Sequence, residues 1–156
     1  MSDLANTSGT ATGDQWIRAQ RLLDAPPDRA HRAWSDPEEL ASWYFRTVEG
    51  SLLVGAGSTL VWSDRQLHVD VLESEPPVRF RFRWSAADGR PAGSTVTVTI
   101  DKHGYGSRVT LEDGPFDLAL PGAGQSFGAA AEAWGAALAN LRARVDFGVD
   151  LRRPVR

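Results

Sequence analysis

The chain has 156 residues, a net charge of −3 and a pI near 5.6. This length suits one domain, and the acidic balance argues against a nucleic-acid binder, because phosphate recognition depends on basic residues. The chain has no cysteine, which excludes disulfides and thiolate chemistry.

Residues 1–14 are rich in Ser, Thr and Gly and are expected to form a disordered tail. They lack a basic start followed by an apolar run, so no signal peptide is expected. No stretch approaches 18 consecutive apolar residues, so no membrane-spanning helix is predicted. A cytoplasmic protein that contacts neither nucleic acid nor membrane is the expectation.

A strand is predicted over residues 16–23, where Ile17, Ala19 and Leu23 share one face. Arg21 has the same parity and should therefore point toward the interior. A buried guanidinium needs a partner, and two interpretations stay open. Arg21 either has a structural role, in which it snorkels at the strand edge or bridges to Glu73 or another nearby acid, or it anchors a carboxylate or carbonyl of a ligand.

Two short helices are predicted after this strand. The double proline at 26–27 ends the strand, and Pro27 suits the first position of a helix that runs to about residue 34. Ser35 or Asp36 then caps a second helix, with Pro37 in its first turn, that runs to about residue 43.

The middle of the chain predicts an antiparallel meander. Residues 60–62, 67–73, 78–84, 95–100 and 107–112 alternate between apolar and polar side chains, and turn signals separate them. The stretch GSLLVGAG at 50–57 is predicted to add one more, poorly defined strand.

The segment 78–84 reads VRFRFRW and allows two interpretations. Its arginines either form the solvated outer face of a sheet or a stripe that binds phosphate. Val78 and the three aromatic residues should face inward. If the prolines at 76–77 form the turn, Asp70 faces Arg83, and Arg81 lies beside Leu72 and Thr97. These ordinary cross-strand neighbours favour the solvated face.

A long helix is predicted over about 125–146. One apolar stripe recurs at helical spacing, formed by Phe127, Ala131, Trp134, Leu138, Leu141 and Val145. Gly148 is a plausible C-cap, and residues 149–156 are expected to fray. A helix with one apolar stripe must lie across one face of the sheet, which predicts an α+β fold.

The segment 21–44, RLLDAPPDRAHRAWSDPEELASWY, resembles the opening signature of the START-like (SRPBCC) superfamily. Within it, the chain is most similar to the small proteins like the activator of heat-shock protein 90 ATPase. The matching positions are Arg21, Asp24, Ala25, Pro26, Pro27, Trp34, Ser35, Asp36, Pro37, Glu38, Leu40 and Trp43. Weaker matches occur at 71–84, 106–116 and 134–141, so the resemblance covers about 15–150. The chain departs from the pattern at His31, where the family has a large apolar residue, and at Ala133, where it often has glycine.

The resemblance implies a helix-grip domain over residues 15–148, in which a curved antiparallel sheet wraps around the C-terminal helix and encloses a cavity. It implies that the protein binds a small apolar ligand there, without a cofactor. Two alternatives stay open: a cyclase- or hydrolase-type enzyme, and a protein-interaction or co-chaperone-like module. A homodimer is possible.

The candidate ligand-binding residues are mostly large apolar side chains expected near such a cavity: Arg21, Trp43, Phe45, Trp62, Val69, Phe80, Phe82, Trp84, Val98, Phe116, Phe127, Trp134 and Leu138. Weak catalytic candidates are His31, Arg21 and Tyr44. The three histidines lie in separate segments without metal-ligand spacing, so no metal site is predicted. A ligand pocket would occupy about 300–1,000 Å³.

Overall fold

The computed structural model describes residues 14–61, 66–84 and 94–152. The chain runs through β1 (Asp14–Leu23), α1 (Pro27–Ser35), α2 (Pro37–Ala41), β2 (Thr47–Gly50), β3 (Ser58–Val61), β4 (Gln66–Glu75), β5 (Arg79–Trp84), β6 (Thr95–His103), β7 (Gly106–Asp117) and α3 (Ala123–Phe147). Trp62, a candidate ligand-binding residue, and nearly all of the predicted N-terminal tail lie outside the described residues.

The seven strands form one sheet in the order β1-β7-β6-β5-β4-β3-β2, with all neighbours antiparallel. Strands β2 to β7 follow one another as a meander, and β1 pairs with β7 at one edge. Helix α3 packs against β1, β7 and α1. The predicted α+β helix-grip fold is confirmed.

The capping residues of the helices behave as their chemistry requires. Pro27 begins α1, and the Asp36 carboxylate accepts hydrogen bonds from the N–H groups of Glu38 and Glu39 at the start of α2. Gly148 ends α3 with φ 69°, and its N–H bonds to the carbonyl of Arg144. A left-handed conformation at this position is the usual reason for a C-cap glycine.

The apolar stripe of α3 faces the core as predicted. Trp134, Leu138 and Leu141 are buried, while Phe127 and Val145, toward the two ends of the stripe, are half-buried. Helix α3 therefore covers the part of the inner face formed by β1 and β7, and α1 packs against β5, β6 and β7 beside it.

On β5 the arginines are exposed and the aromatic residues are buried. The predicted pairs of Asp70 with Arg83 and of Arg81 with Thr97 are present. The neighbour predicted from β4 was wrong: a register irregularity at Leu72 places Glu73 opposite Arg81. The arginines thus lie beside carboxylates and threonines, an arrangement typical of a solvated sheet face.

Val78 does not face inward, as the alternation had suggested. It belongs to the turn before β5, is 42% exposed, and donates its backbone N–H to the carbonyl of Glu75. The two-residue period holds only where the chain is in the ladder, and the ladder begins one residue later at Arg79.

The additional strand lies earlier than predicted. It comprises β2 at Thr47–Gly50, whereas residues 51–57 form a loop. Gly50 adopts φ 93° at the end of β2, which turns the chain out of the strand conformation. This loop brings one side chain, Leu52, back into the core.

The chain after α3 does not fray at residues 150–152. Leu151 donates its backbone N–H to Asn140 Oδ1 over 2.6 Å, and Arg152 binds carbonyls in another part of the chain. The prediction of a frayed ending was wrong here, because side-chain hydrogen bonds that span 107 and 111 residues hold this segment.

Candidate ligand-binding site

A small cavity lies between the first two helices and the sheet. Residues from α1, α2, the two following loops and strands β3 to β5 line it: Trp34, Leu40, Tyr44, Phe45, Leu52, Leu60, Val69, Val71, Phe80 and Phe82. It leaves about 10 Å³ for the centre of a water-sized sphere. Large side chains therefore fill most of the space, and the expected pocket of several hundred Å³ is not present between these residues.

The two walls of the cavity differ in how they are built. Leu60, Val69, Val71, Phe80 and Phe82 project from strands that are hydrogen-bonded on both sides. This wall is therefore rigid, because moving it would break ladder bonds.

The opposite wall contains irregular backbone. Residues 42–46, here called the wall segment, connect α2 to β2 and carry Tyr44 and Phe45. Tyr44 packs between neighbouring rings, with centroid distances of 4.0 Å to Phe45 and 5.1 Å to Trp134. The backbone of the wall segment is not part of a helix or a strand, so the positions of these side chains depend on aromatic packing.

Residues 150–152, here called the strap, fasten the backbone around the wall segment. Arg152 donates from Nη1 to the carbonyl of Phe45 over 2.7 Å and from Nη2 to the carbonyl of Ala41 over 3.0 Å. Asn140 on α3 donates to the carbonyl of Trp43 over 2.6 Å. The carbonyls of Ala41, Trp43 and Phe45 are therefore held by side chains from the strap and from α3.

Asp150 holds the strap arginine in place. Its Oδ2 lies 2.8 Å from Arg152 Nη2, and its Oδ1 accepts a hydrogen bond from Asn140. The hydrogen bond from Arg152 is the main cause that lowers the pKa of Asp150 from 3.8 to about 2. In the strap, Arg152 is therefore held by an ion pair with Asp150 while it binds the carbonyls of Ala41 and Phe45.

Trp34 combines complete burial with an unused donor. The residue is 0% exposed, and its indole Nε1 has no hydrogen-bond partner among the described residues. By contrast, the indole of Trp43 donates to the carbonyl of Ala33 over 2.8 Å, and that of Trp134 to Asp113 over 2.9 Å. A buried donor without an acceptor is uncommon and costs free energy.

His31 is buried and both ring nitrogens are engaged. Nε2 lies 2.9 Å from the carbonyl of Arg79, and Nδ1 lies 3.2 Å from the Ser35 hydroxyl. The carbonyl can only accept, so Nε2 carries the proton and donates. The Ser35 hydroxyl also lies 3.1 Å from the His31 carbonyl, so its one proton is shared between two acceptors. The bond from Nε2 ties α1 to the start of β5.

Asp113 on β7 is a fully buried carboxylate that the sequence interpretation missed. It accepts hydrogen bonds from Ser94 Oγ over 2.6 Å and from Trp134 Nε1 over 2.9 Å. A signal existed: Asp113 has the same strand parity as the buried residues Val109 and Leu111. The Trp134 ring that it fixes is the one that packs on Tyr44.

Arg21 faces inward from β1 but has no ion-pair partner among the described residues. Nη2 makes one long hydrogen bond, 3.4 Å, to the carbonyl of Gly135 on α3, and Nε is buried without a partner. The predicted bridge to Glu73 was wrong. Glu73 on β4 pairs with Arg79 on β5, and β7 and β6 separate these strands from β1, which carries Arg21. Arg21 does not line the cavity.

In the parts of the chain that the structure describes, no group of three or more His, Asp or Glu side chains is arranged to hold a metal ion. None of the described helices is long and apolar enough to cross a membrane.

Comparison of the sequence with those of known protein families gives a match over residues 24–146. The matching family is described as activator of Hsp90 ATPase homolog 1-like protein. The chain belongs to this family. The resemblance seen in segment 21–44 is therefore confirmed. Among curated proteins, none matches the chain significantly.

Solved structures share the family's fold. The protein SSP2350 from Staphylococcus saprophyticus is 21% identical, with a TM-score of 0.75 over 90% of this chain and 98% of that one. The Aha1 dimer from Colwellia psychrerythraea is 14% identical, with a TM-score of 0.75 over 86% and 98%. CalU16 from Micromonospora echinospora is 24% identical, with a TM-score of 0.70 over 86% and 78%. At these identities the likeness establishes the fold alone.

In this member of the family, the candidate site residues divide into three groups. Phe45, Val69, Phe80, Phe82 and the weak catalytic candidate Tyr44 line the cavity. Trp43, Trp84, Val98, Trp134 and Leu138 are buried in the surrounding core without lining it, and Phe116 and Phe127 pack on each other at 5.5 Å. The lining residues that were not chosen are Trp34, Leu40, Leu52, Leu60 and Val71.

Proposed function

We propose that the protein binds a small, largely apolar molecule in the cavity between α1, α2 and the sheet. The observation that carries the proposal is the cavity's lining: nine of its ten residues are Leu, Val, Phe or Trp, and Tyr44 contributes the only hydroxyl. Apolar walls with very few polar groups are typical of small-molecule sites.

Binding requires the cavity to open, because 10 Å³ admits no organic ligand. The proposed moving parts are the loop at 51–57 and the wall segment, since neither belongs to a helix or a strand. The wall segment moves only when the strap releases the carbonyls of Ala41 and Phe45. Moving them outward enlarges the space beside the sheet while its ladder stays intact. The Tyr44, Phe45 and Leu52 side chains would then contact the ligand.

The enzyme alternative has less support. His31 bonds through Nε2 to the carbonyl of Arg79 and Arg21 bonds to the carbonyl of Gly135, and neither residue lines the cavity. A catalytic group needs to reach a reacting atom within hydrogen-bond distance, and of the three candidates only Tyr44 lines the cavity.

The test uses prodan, an uncharged fluorescent naphthyl ketone, with wild-type protein and two variants. Val71→Phe fills the cavity from the rigid wall, whereas Val54→Phe adds the same atoms to a residue that is 58% exposed. We expect wild type and Val54→Phe to bind prodan with the same affinity and Val71→Phe to bind at least tenfold more weakly. Equal binding by the two variants would place the site elsewhere.

Native mass spectrometry of protein purified from its own host tests the same site with the natural ligand in place of prodan. An added mass of a few hundred daltons on the wild-type protein and on Val54→Phe, but not on Val71→Phe, is the expected result. Retention of that mass by Val71→Phe would contradict the proposed site.

We also propose self-association through the apolar end of α3. Phe147, Val149 and Leu151 are exposed by 64%, 48% and 60%, and they lie at the end of α3 and in the residues that follow it. A second copy is the proposed occupant, because the similar Aha1 protein from Colwellia psychrerythraea is a dimer. Light scattering should show a dimer for the wild type and for Tyr105→Ser, and a monomer for Phe147→Ser; a wild-type monomer at high concentration contradicts this.

A further inference from the structure

Residues 52–56, here called the gate loop, cover the cavity with a single buried side chain. Leu52 is 4% exposed and lines the cavity, whereas the four residues that follow it are exposed. Among the described residues, one hydrogen bond joins the backbone of the gate loop to a strand: Gly55 donates its N–H to the carbonyl of Val71 over 3.3 Å. The position of the gate loop therefore depends on one leucine and one long hydrogen bond.

The base of the gate loop is held more firmly than its tip. Gly50 and Ser58 are partners in the ladder between β2 and β3, and the Ser58 hydroxyl donates to the carbonyl of Ser51 over 3.1 Å. Gly57 adopts φ 69° where the loop rejoins β3. Glycine reaches more backbone conformations than any other residue, so the chain can pivot at Gly57 while the ladder stays intact.

The wall segment on the same side of the cavity is held more tightly than the gate loop. The carbonyls of Ala41, Trp43 and Phe45 accept hydrogen bonds of 3.0 Å or less from the strap and from α3. Two of these bonds come from the Arg152 guanidinium, and hydrogen bonds from a charged donor are stronger than those between neutral groups. Opening the cavity at the wall segment breaks these bonds, whereas opening it at the gate loop breaks one long bond and exposes one leucine.

We propose that the gate loop is the entrance to the cavity, that Leu52 is its plug, and that a hydrocarbon group of the ligand takes the place of the Leu52 side chain. This inference rests on the proposed function and names the part of the protein that admits the ligand. Apart from Tyr44, the residues that line the cavity with Leu52 are Leu, Val, Phe or Trp. An alkyl or aryl group restores the apolar burial that is lost when Leu52 leaves.

The test measures by stopped-flow fluorescence how fast prodan enters three proteins. In wild type, the observed rate should level off at high prodan concentration, since opening of the gate loop then limits binding. Leu52→Ala removes the plug and should raise this plateau about tenfold, because less apolar surface becomes exposed on opening. Leu60→Ala deletes the same atoms from the same cavity, but Leu60 lies on β3, which is paired with β2 and β4. It should leave the plateau unchanged.

A second measurement uses wild-type protein alone. Saturation with prodan should accelerate hydrogen exchange at the Gly55 amide, which loses its acceptor when the gate loop is displaced, and should not accelerate exchange in the wall segment. Binding without a plateau, a plateau no higher in Leu52→Ala than in Leu60→Ala, or unchanged exchange at Gly55 would overturn the role of the gate loop and leave the binding function standing. Failure of wild-type protein to bind prodan would overturn both.

Discussion

Trp134 donates its indole N–H to the Asp113 carboxylate over 2.9 Å in the interior of the protein, and Asp113 is 0% exposed. The bond joins the middle of α3 to β7 and fixes the orientation of a ring that packs on Tyr44 at 5.1 Å. A polar contact outside the cavity thus determines the position of an aromatic side chain that lines it.

Replacing Asp113 should destabilise the protein strongly. Asp113→Ala leaves the Trp134 N–H and the Ser94 hydroxyl buried without an acceptor, and each such group costs about 1–3 kcal/mol. We expect a loss of about 2–4 kcal/mol in the free energy of unfolding, measured by chemical denaturation. Glu112→Gln, on the exposed side of the same strand, is the control and should change stability by less than about 0.5 kcal/mol. Equal effects of the two substitutions would show that the buried hydrogen bonds contribute nothing.

Two adjacent leucines provide a matched test of the cavity wall. Leu52 is 4% exposed and lines the cavity, whereas Leu53 is 69% exposed. Leu52→Ala should cost about 2–5 kcal/mol and enlarge the cavity, while Leu53→Ala should be nearly neutral. The enlarged cavity should also bind benzene, detectable as a rise in melting temperature for Leu52→Ala alone. A rise for both variants would assign benzene to the surface.

His31 is expected to be structural. His31→Leu removes the hydrogen bond to the carbonyl of Arg79 and leaves that acceptor buried, which should lower the free energy of unfolding by about 1–3 kcal/mol. His68→Leu, on the exposed face of β4, should cost less than about 0.5 kcal/mol. Prodan affinity should stay unchanged in both. Loss of prodan binding in a folded His31→Leu protein would instead make His31 part of the site.

The strap should restrain the wall segment. Arg152→Ala frees the carbonyls of Ala41 and Phe45, so amide hydrogen exchange in a peptide spanning the wall segment should accelerate. Lys102→Ala removes an equal charge from an exposed position at the end of β6 and should leave exchange in the wall segment unchanged. If exchange is the same in both variants, the strap does not hold the wall.

The pH dependence of the strap follows from Asp150. Its pKa is about 2 in the folded protein against 3.8 as the ordinary value, so the folded state binds its proton more weakly than the unfolded chain. The stabilisation is therefore complete above pH 3.8 and disappears as the pH falls through 2. Because the pair is partly exposed, it contributes less than about 1 kcal/mol. The carboxyl NMR resonance of Asp150 should report this titration. The difference in free energy of unfolding between wild type and Asp150→Asn should shrink as the pH falls through 2. A midpoint near 3.8 for Asp150 would contradict the ion pair.

Local patterns predicted most of the architecture. Alternation along β4 to β6 gave the correct buried faces, and Asp36, Pro27 and Gly148 acted at the helix ends as their chemistry requires. These features depend on contacts between residues close in sequence, so a linear pattern records them. Errors arose where the period is interrupted, at the bulge beside Leu72 and at the turn residue Val78.

The contacts that define the site come from distant parts of the chain. Arg152 meets Phe45 across 107 residues, Asn140 meets Trp43 across 97, and His31 meets Arg79 across 48. No sequence pattern recorded that, among the described residues, Arg21 has no acidic partner and the Trp34 N–H has no acceptor, because both facts depend on which groups from distant parts of the chain pack beside them.

By itself, the sequence determined the fold class, the order of elements, the sheet faces and the family, because apolar periodicity and end signals act over a few residues. Only the tertiary structure decided the size of the cavity and the partners of its buried polar atoms. Cavity volume is a small difference between the space that the backbone encloses and the side-chain volume that fills it, and a single methyl group changes it. Hydrogen-bond partners depend on three-dimensional distance, which the folded chain establishes when it brings its end against residues 41–45.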